Sequence, residues 1–260
     1  MAEEWLVWVV LLGSSFIPPV IWMLIIRNTE RYGREPMGQV LRAFLWGAGV
    51  AVIVAIVLSL LLLYLLETRV TPLYEFVGRR FSDPGLIIGA VIVAPLVEEF
   101  AKALAVLRVR RHIDEPEDGL VYGASAGLGF AATENLFYGL AALLATGSLT
   151  VSLVLIGIRS VSSALLHATA TASTGYGLAK RRIWRESALP GFVIAVGLHA
   201  AFNLFASIGV LYESTLGDAG AYLGLGVAVG FGVLGFALIR QKIREKDSGL
   251  PSRRMPSRPT

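Results

Sequence analysis

Residues 47–66 read GAGVAVIVAIVLSLLLLYLL, twenty consecutive positions without a charged side chain. A helix rises about 1.5 Å per residue, so this run measures about 30 Å, the depth of a bilayer's hydrocarbon core. Six more segments approach the same length, some with polar interruptions. The expected spans lie near 5–26, 41–66, 86–108, 119–145, 150–179, 189–210 and 218–240. Lipid offers no partner to an open backbone group, so helices are the default. The expected fold class is all-α, a polytopic membrane helix bundle of about seven transmembrane helices. Residues 1–240 would form one domain, and 241–260 a disordered basic tail.

Composition agrees. Hydrophobic residues make up 55% and charged residues 16%, against about 25% charged in a soluble domain. The mean hydropathy of +0.67 excludes a disordered chain. The absence of cysteine excludes disulfides, thiolate metal sites and a cysteine nucleophile. The first span carries Glu3 and Glu4 where a signal peptide would be basic, and no small-x-small site follows it. Pro18-Pro19 should kink it. Ser82-Asp83-Pro84 reads as a helix cap with proline at the first helical position, and Asp118 and Asp218 are expected to cap spans four and seven.

Charge sets the expected orientation. With the N-terminus outside and the C-terminus cytoplasmic, eighteen of the 23 Lys and Arg residues fall on cytoplasmic segments. Only Arg69, Arg79 and Arg80 fall outside, a strong positive-inside bias. The net charge of +4 therefore points to anionic lipid, not nucleic acid. The glycines at 123 and 127, and at 224, 226 and 230, read as close helix packing.

An ionisable group at mid-membrane costs at least about 2.5–3.5 kcal/mol, so each needs a reason. Span three holds Glu98, Glu99 and Lys102, span four Glu134, span five Arg159 and His167, and span six His199 with Asn203. Counted from the span ends at about 1.5 Å per residue, the acids and imidazoles all fall in the middle third. Glu98 and Lys102 share a helix face, as do His199 and Asn203, while Arg159, Ser163 and His167 follow at four-residue steps. Pro95 can bend span three and open room for water.

Two histidines with two or three glutamates suit a borderline metal, zinc above all. Glu134, His167, His199 and Glu98 are the expected ligands. One of Glu98 and Glu99 would act as general base on water, and the other would be a ligand or hold Lys102. Asn203 would donate to an oxyanion, and Lys102 and Arg159 would offset carboxylate charge. Lys102 also reads simply as the partner of Glu98. Thr133, Asn135, Ser163 and Thr169 read as interhelical hydrogen-bonding groups. A proton- or ion-coupled transporter is the competing use of the same buried groups, and an inactive membrane scaffold a third.

The sequence resembles a known family at this point. Glu98-Glu99-Phe100-Ala101-Lys102 looks like the EExxK motif of the PrsW intramembrane proteases. The stretch from Asp118-Gly119 through Gly127 to Glu134-Asn135 resembles that family's second motif, and His167-Ala168 and His199 to Asn203 its third and fourth. The likeness covers about 86–205. The prenyl-processing and bacteriocin-processing superfamily is more distantly similar, but Lys102 and Glu134 replace its arginine and first histidine. The resemblance implies site-1-type cleavage of membrane-anchored proteins such as anti-sigma factors, in the plasma membrane. It implies Glu98, Glu99 and His167 as essential residues, with Glu134, His199 and Asn203 completing the site and zinc as cofactor.

Because the chain has no cysteine, introduced ones report on sidedness. In intact cells, a membrane-impermeant maleimide should label Arg79→Cys and leave Arg181→Cys untouched; the reverse pattern would invert the expected orientation.

Overall fold

The apolar runs fold as helices throughout. The computed structural model describes residues 2–81 and 83–247, and no strand occurs among the described residues. Helix α1 is Ala2–Arg27; α2, Met37–Trp46, continues through a wide π-turn, Gly47–Ala51, into α3, Val52–Arg69. Helix α4, Thr71–Gly78, is followed by α5, Pro84–Ile87, a second π-turn, Ile88–Val93, and α6, Ala94–Val109. A 3-10 turn, Arg110–His112, leads to α7, Pro116–Thr146. Then come α8, Leu149–Val161, α9, Ser163–Trp184, and α10, Leu189–Ala206. Short α11, Ile208–Leu211, and α12, Glu213–Leu216, precede α13, Asp218–Asp247.

Six helices among the described residues are long and apolar enough to cross a membrane: Trp5–Arg27, Met37–Arg69, Pro116–Thr146, Leu149–Trp184, Leu189–Ala206 and Asp218–Asp247. The segment expected as span three is not among them. It is helical without a break from Pro84 to Val109, interrupted in type by its π-turn, and it carries Glu98, Glu99 and Lys102.

Local chemistry explains several of the helix ends. Asp83 caps as expected, its Oδ1 accepting the Leu86 amide at 2.9 Å, while Ser82 lies outside the described residues. Asp118 does not cap span four. The helix begins earlier, at Pro116, with Glu115 as the cap and Asp118 in its first turn. Asp118 Oδ2 accepts the amides of Asp114 and Glu115 at 2.7 and 2.8 Å, one half of a capping box. Pro18 and Pro19 sit inside a continuous α1. The single helix expected over 150–179 divides at Ser162, whose backbone leaves helical geometry at φ −116°, ψ −81°. Helix α13 runs on to Asp247, so the first part of the expected tail is helical; the rest lies outside the described residues.

The burial pattern inverts that of a soluble protein. Leu60, Leu144 and Leu234 are each more than half exposed, whereas Glu99, Lys102, Asn135, His167, Thr171 and His199 are buried. Apolar side chains gain nothing by leaving lipid, so packing depends on close contact and polar bonds. Helices α7 and α9 achieve this through small residues. A Cβ at Gly123 would overlap the Thr171 carbonyl, one at Gly127 the His167 carbonyl, and one at Gly175 the Gly119 carbonyl. Gly224 also packs closely, against Phe205, but Gly226 and Gly230 face open space. Their expected packing role falls instead to Gly232, against Ser162, and Gly235, against Thr169.

Gly127→Val should push α7 from α9 and cost at least about 1–3 kcal/mol of overpacking. It is read as a lower melting midpoint in detergent, with Gly226→Leu close to wild type.

Candidate active site

Five helices carry the polar cluster: α6, α7, α8, α9 and α10. Its centre is Lys102. The ammonium donates to Glu99 Oε1 at 2.6 Å and lies 2.7 Å from His167 Nδ1 and 3.5 Å from Glu98 Oε2. It also stands 4.5 Å from the centre of the Phe130 ring. The Lys102 side chain is fully buried, so these groups replace its entire water shell.

The two adjacent glutamates differ sharply. Glu99 is fully enclosed and fully bonded. Besides Lys102, its Oε1 lies 3.1 Å from His199 Nδ1, and its Oε2 accepts the Thr171 hydroxyl at 3.0 Å. Glu98 retains 14% side-chain exposure, and its Oε2 has no hydrogen-bond partner among the described residues, only ionic contact with Lys102 and, at 3.8 Å, with His199 Nε2. The helical turn of about 100° between neighbours buries one carboxylate completely and leaves the other slightly exposed.

A lysine ammonium can only donate, so His167 Nδ1 accepts from it, and the imidazole proton belongs on Nε2. That nitrogen lies 2.8 Å from Glu134 Oε2. Glu134 is also paired with Arg159 at 2.9 Å. Arg159 in turn donates to Asn135 Oδ1 and Ser163 Oγ, both at 3.1 Å, and stacks 3.8 Å from the Tyr138 ring centre. The two imidazoles meet edge to face, 4.8 Å apart.

The cluster brings together Glu98, Glu99, Lys102, Glu134, Arg159, His167 and His199. One ligand atom each from Glu98, His167 and His199 lies within 4.8 Å of the others. Glu134, expected as a further ligand, is outside that group, and its Oε2 pairs with Arg159 and His167. The donor set fits a metal such as zinc: nitrogen and oxygen atoms, an orphaned carboxylate oxygen on Glu98, and three carboxylates against two cationic side chains. Glu99, bonded to His199 Nδ1, would direct that ring's Nε2 lone pair to the same point, as outer carboxylates do around metal-bound histidines.

Asn203 has a different neighbour. Its Nδ2 donates to the Ala90 carbonyl at 2.8 Å. In the π-turn the Ala94 amide bonds Gly89, which leaves Ala90 facing Pro95. Proline has no N–H to offer, and Asn203 fills the vacancy. Thr171 and Phe130 were given no role from sequence. Thr171 lies one helical turn beyond His167, so the four-residue step that linked Arg159, Ser163 and His167 would have found it. Of the expected interhelical groups, Thr133 bonds the Ala48 carbonyl and Asn135 bonds Ser160, but Thr169 bonds back to Leu165 in its own helix.

Comparison with known proteins points one way. Residues 35–238 match the model of the PrsW family, described as intramembrane metalloproteases. Protease PrsW of Clostridioides difficile is 31% identical over 204 residues, 75% of this chain and 78% of that protein. Protease PrsW of Geobacillus kaustophilus is 30% identical over 202 residues, 72% and 77% of the two chains. That of Bacillus subtilis is 28% identical over 131 residues, 49% and 53%. No solved structure matches.

Lys102→Met should strand two buried carboxylates and cost about 3–5 kcal/mol, the range for breaking a buried pair. Thermal unfolding in detergent measures it; an unchanged midpoint would show that the ammonium does not hold the cluster.

Proposed function

The chain belongs to the PrsW family of intramembrane proteases, and we propose that it hydrolyses peptide bonds of membrane-anchored proteins at a site built on Glu98, Glu99, His167 and His199. Substrates of the anti-sigma-factor kind, cut in the plasma membrane by site-1-type cleavage, complete the reading. So do seven spans, with Pro84–Val109 as the third and the N-terminus outside. The carrying observation is the convergence of two glutamates, two histidines and a buried lysine around one partly exposed carboxylate.

Glu98 is the general base in this mechanism. It is the glutamate with an unpartnered oxygen and a partly exposed side chain, so it can take a proton from the attacking water and return it to the leaving amine. Glu99 is a positioning residue: it holds Lys102 and fixes the His199 tautomer. Glu134 orients His167 through Nε2, and Arg159 holds Glu134. Zinc held by His167 and His199, close to Glu98, would polarise the scissile carbonyl and acidify the water that Glu98 deprotonates. His167 would offer the metal its Nδ1 lone pair, which in this structure accepts from Lys102. Asn203 supports the segment that carries the glutamates and has its second amide hydrogen left for an oxyanion.

Access is offered by a groove of about 670 Å³ lined by Arg159, Ser163, Phe202, Ala206, Asp218 and Ala228. It runs between α8, α9, α10 and α13, with Arg159, the partner of Glu134, in its wall.

Glu98→Gln, Glu99→Gln and His167→Ala, made singly, should each lower cleavage of a membrane-anchored substrate in proteoliposomes by at least about 100-fold. Cleavage retained in all three would overturn the reading. Elemental analysis should find one zinc per chain, lost in His167→Ala; a folded, active and metal-free wild type would leave Glu98 acting on water alone. Ala206→Trp should block the groove and depress cleavage while the zinc content stays unchanged.

A further inference from the structure

We propose that Glu30, Glu35 and Asp118 form a second cation site, remote from the active site, that takes one hard divalent cation of the Mg²⁺ or Ca²⁺ class. The three residues are 1%, 5% and 4% exposed, and one carboxylate oxygen of each lies within 4.8 Å of the others. They come from two parts of the chain: the loop joining α1 to α2, and the first turn of α7. Asp118 precedes Glu134 by sixteen positions on α7, about 24 Å along the helix.

Proximity of acids alone would mean little, but the partners are wrong for a self-sufficient cluster. No lysine, arginine or histidine is ion-paired with any of the three among the described residues. The nearby arginines are spent on backbone: Arg27 donates to the Glu35 carbonyl at 2.7 Å, and Arg34 to the Glu30 carbonyl at 3.3 Å. Glu30 Oε2 accepts the Glu35 amide at 3.0 Å, but Glu30 Oε1 is buried with no hydrogen-bond partner. Tyr122 donates to Glu35 Oε2, Asp118 Oδ2 accepts two amides, and the Glu35 and Asp118 carboxyls share a hydrogen bond, so Glu30 Oε1 is the orphaned oxygen of the group.

Such a group must be neutralised by protons or by a cation. Without a cation, burial pushes the Glu30 carboxyl up to about 8 and that of Glu35 up to about 7. Oxygen-only donors with several negative charges favour hard cations over zinc or copper. The site is also held ready. Asp247, at the end of α13, accepts the amides of Arg31, Tyr32 and Gly33 at 2.6, 3.1 and 3.4 Å, which pins the loop carrying Glu30 and Glu35. A bound cation would clamp that loop to the start of the helix that carries Glu134.

The probe is Mn²⁺ as a spectroscopic stand-in, added to chelator-stripped full-length protein in detergent and followed by electron paramagnetic resonance. A site retained in His167→Ala, displaced by Mg²⁺ or Ca²⁺, and weakened about tenfold or more in Glu30→Gln supports the proposal. Thermal unfolding of the wild type gives a reading that needs no variant: at about 100 times its dissociation constant, Mg²⁺ or Ca²⁺ should raise the midpoint by several degrees. Binding that survives in Glu30→Gln, or that disappears in His167→Ala, overturns it. So does a wild-type midpoint indifferent to the cations, with Glu30→Gln equally stable, because a neutral isostere is tolerated only where protons already neutralise the cluster.

Discussion

A charge taken out of water must recover its solvation from the protein. Lys102 does so from Glu99, Glu98, His167 and the face of Phe130. Each of these groups is fixed in turn. Glu99 is held by His199 and Thr171, His167 by Glu134, and Glu134 by Arg159. The cluster is therefore one connected network across α6, α7, α8, α9 and α10. A half-satisfied version would cost more than an apolar core. Its members hold one another in place, and that mutual support is what makes burial of the charges tolerable.

That network can close only if the backbones come close. Helices α7 and α9 meet along Gly119, Gly123, Gly127 and Gly175, where a single added carbon would strike a carbonyl. The contact sets the depth of Glu134 against His167, and hence the 2.8 Å bond between them. In lipid no hydrophobic force pulls helices together, so small residues that admit dispersion contact take over the work done in water by leucine and valine. The π-turn before Pro95 has a similar logic. It leaves a carbonyl without a donor, and Asn203 from α10 supplies one, tying that helix to the segment that carries the glutamates.

Much of this was legible in the chain. A charge within an apolar run can survive only with partners, so Glu98, Glu99, Lys102, Glu134, Arg159, His167 and His199 identified themselves by depth alone, and the structure gathers them. Asp83 was legible as a cap because an acid before proline has few other uses. Asp118 misled for a local reason: the capping box extends the helix one turn earlier, so the acid sits inside it. The break at Ser162 was hidden because the hydropathy of 150–179 is continuous, and apolarity does not report backbone angles.

Composition, spacing and the cost of burying charge determined by themselves that this protein is helical, that it lies in a membrane, and which buried charged residues must find one another. Each of those follows from properties a residue carries wherever it is placed. The tertiary structure decided which glutamate faces inward and which keeps a free oxygen, that Glu134 serves His167, that Asn203 serves Ala90, and that Glu30 and Glu35 meet Asp118. Those outcomes depend on helix rotation and on contacts between residues far apart in the chain. A rotation of one residue, about 100°, exchanges Glu98 for Glu99, and only the packing of neighbouring helices selects between them.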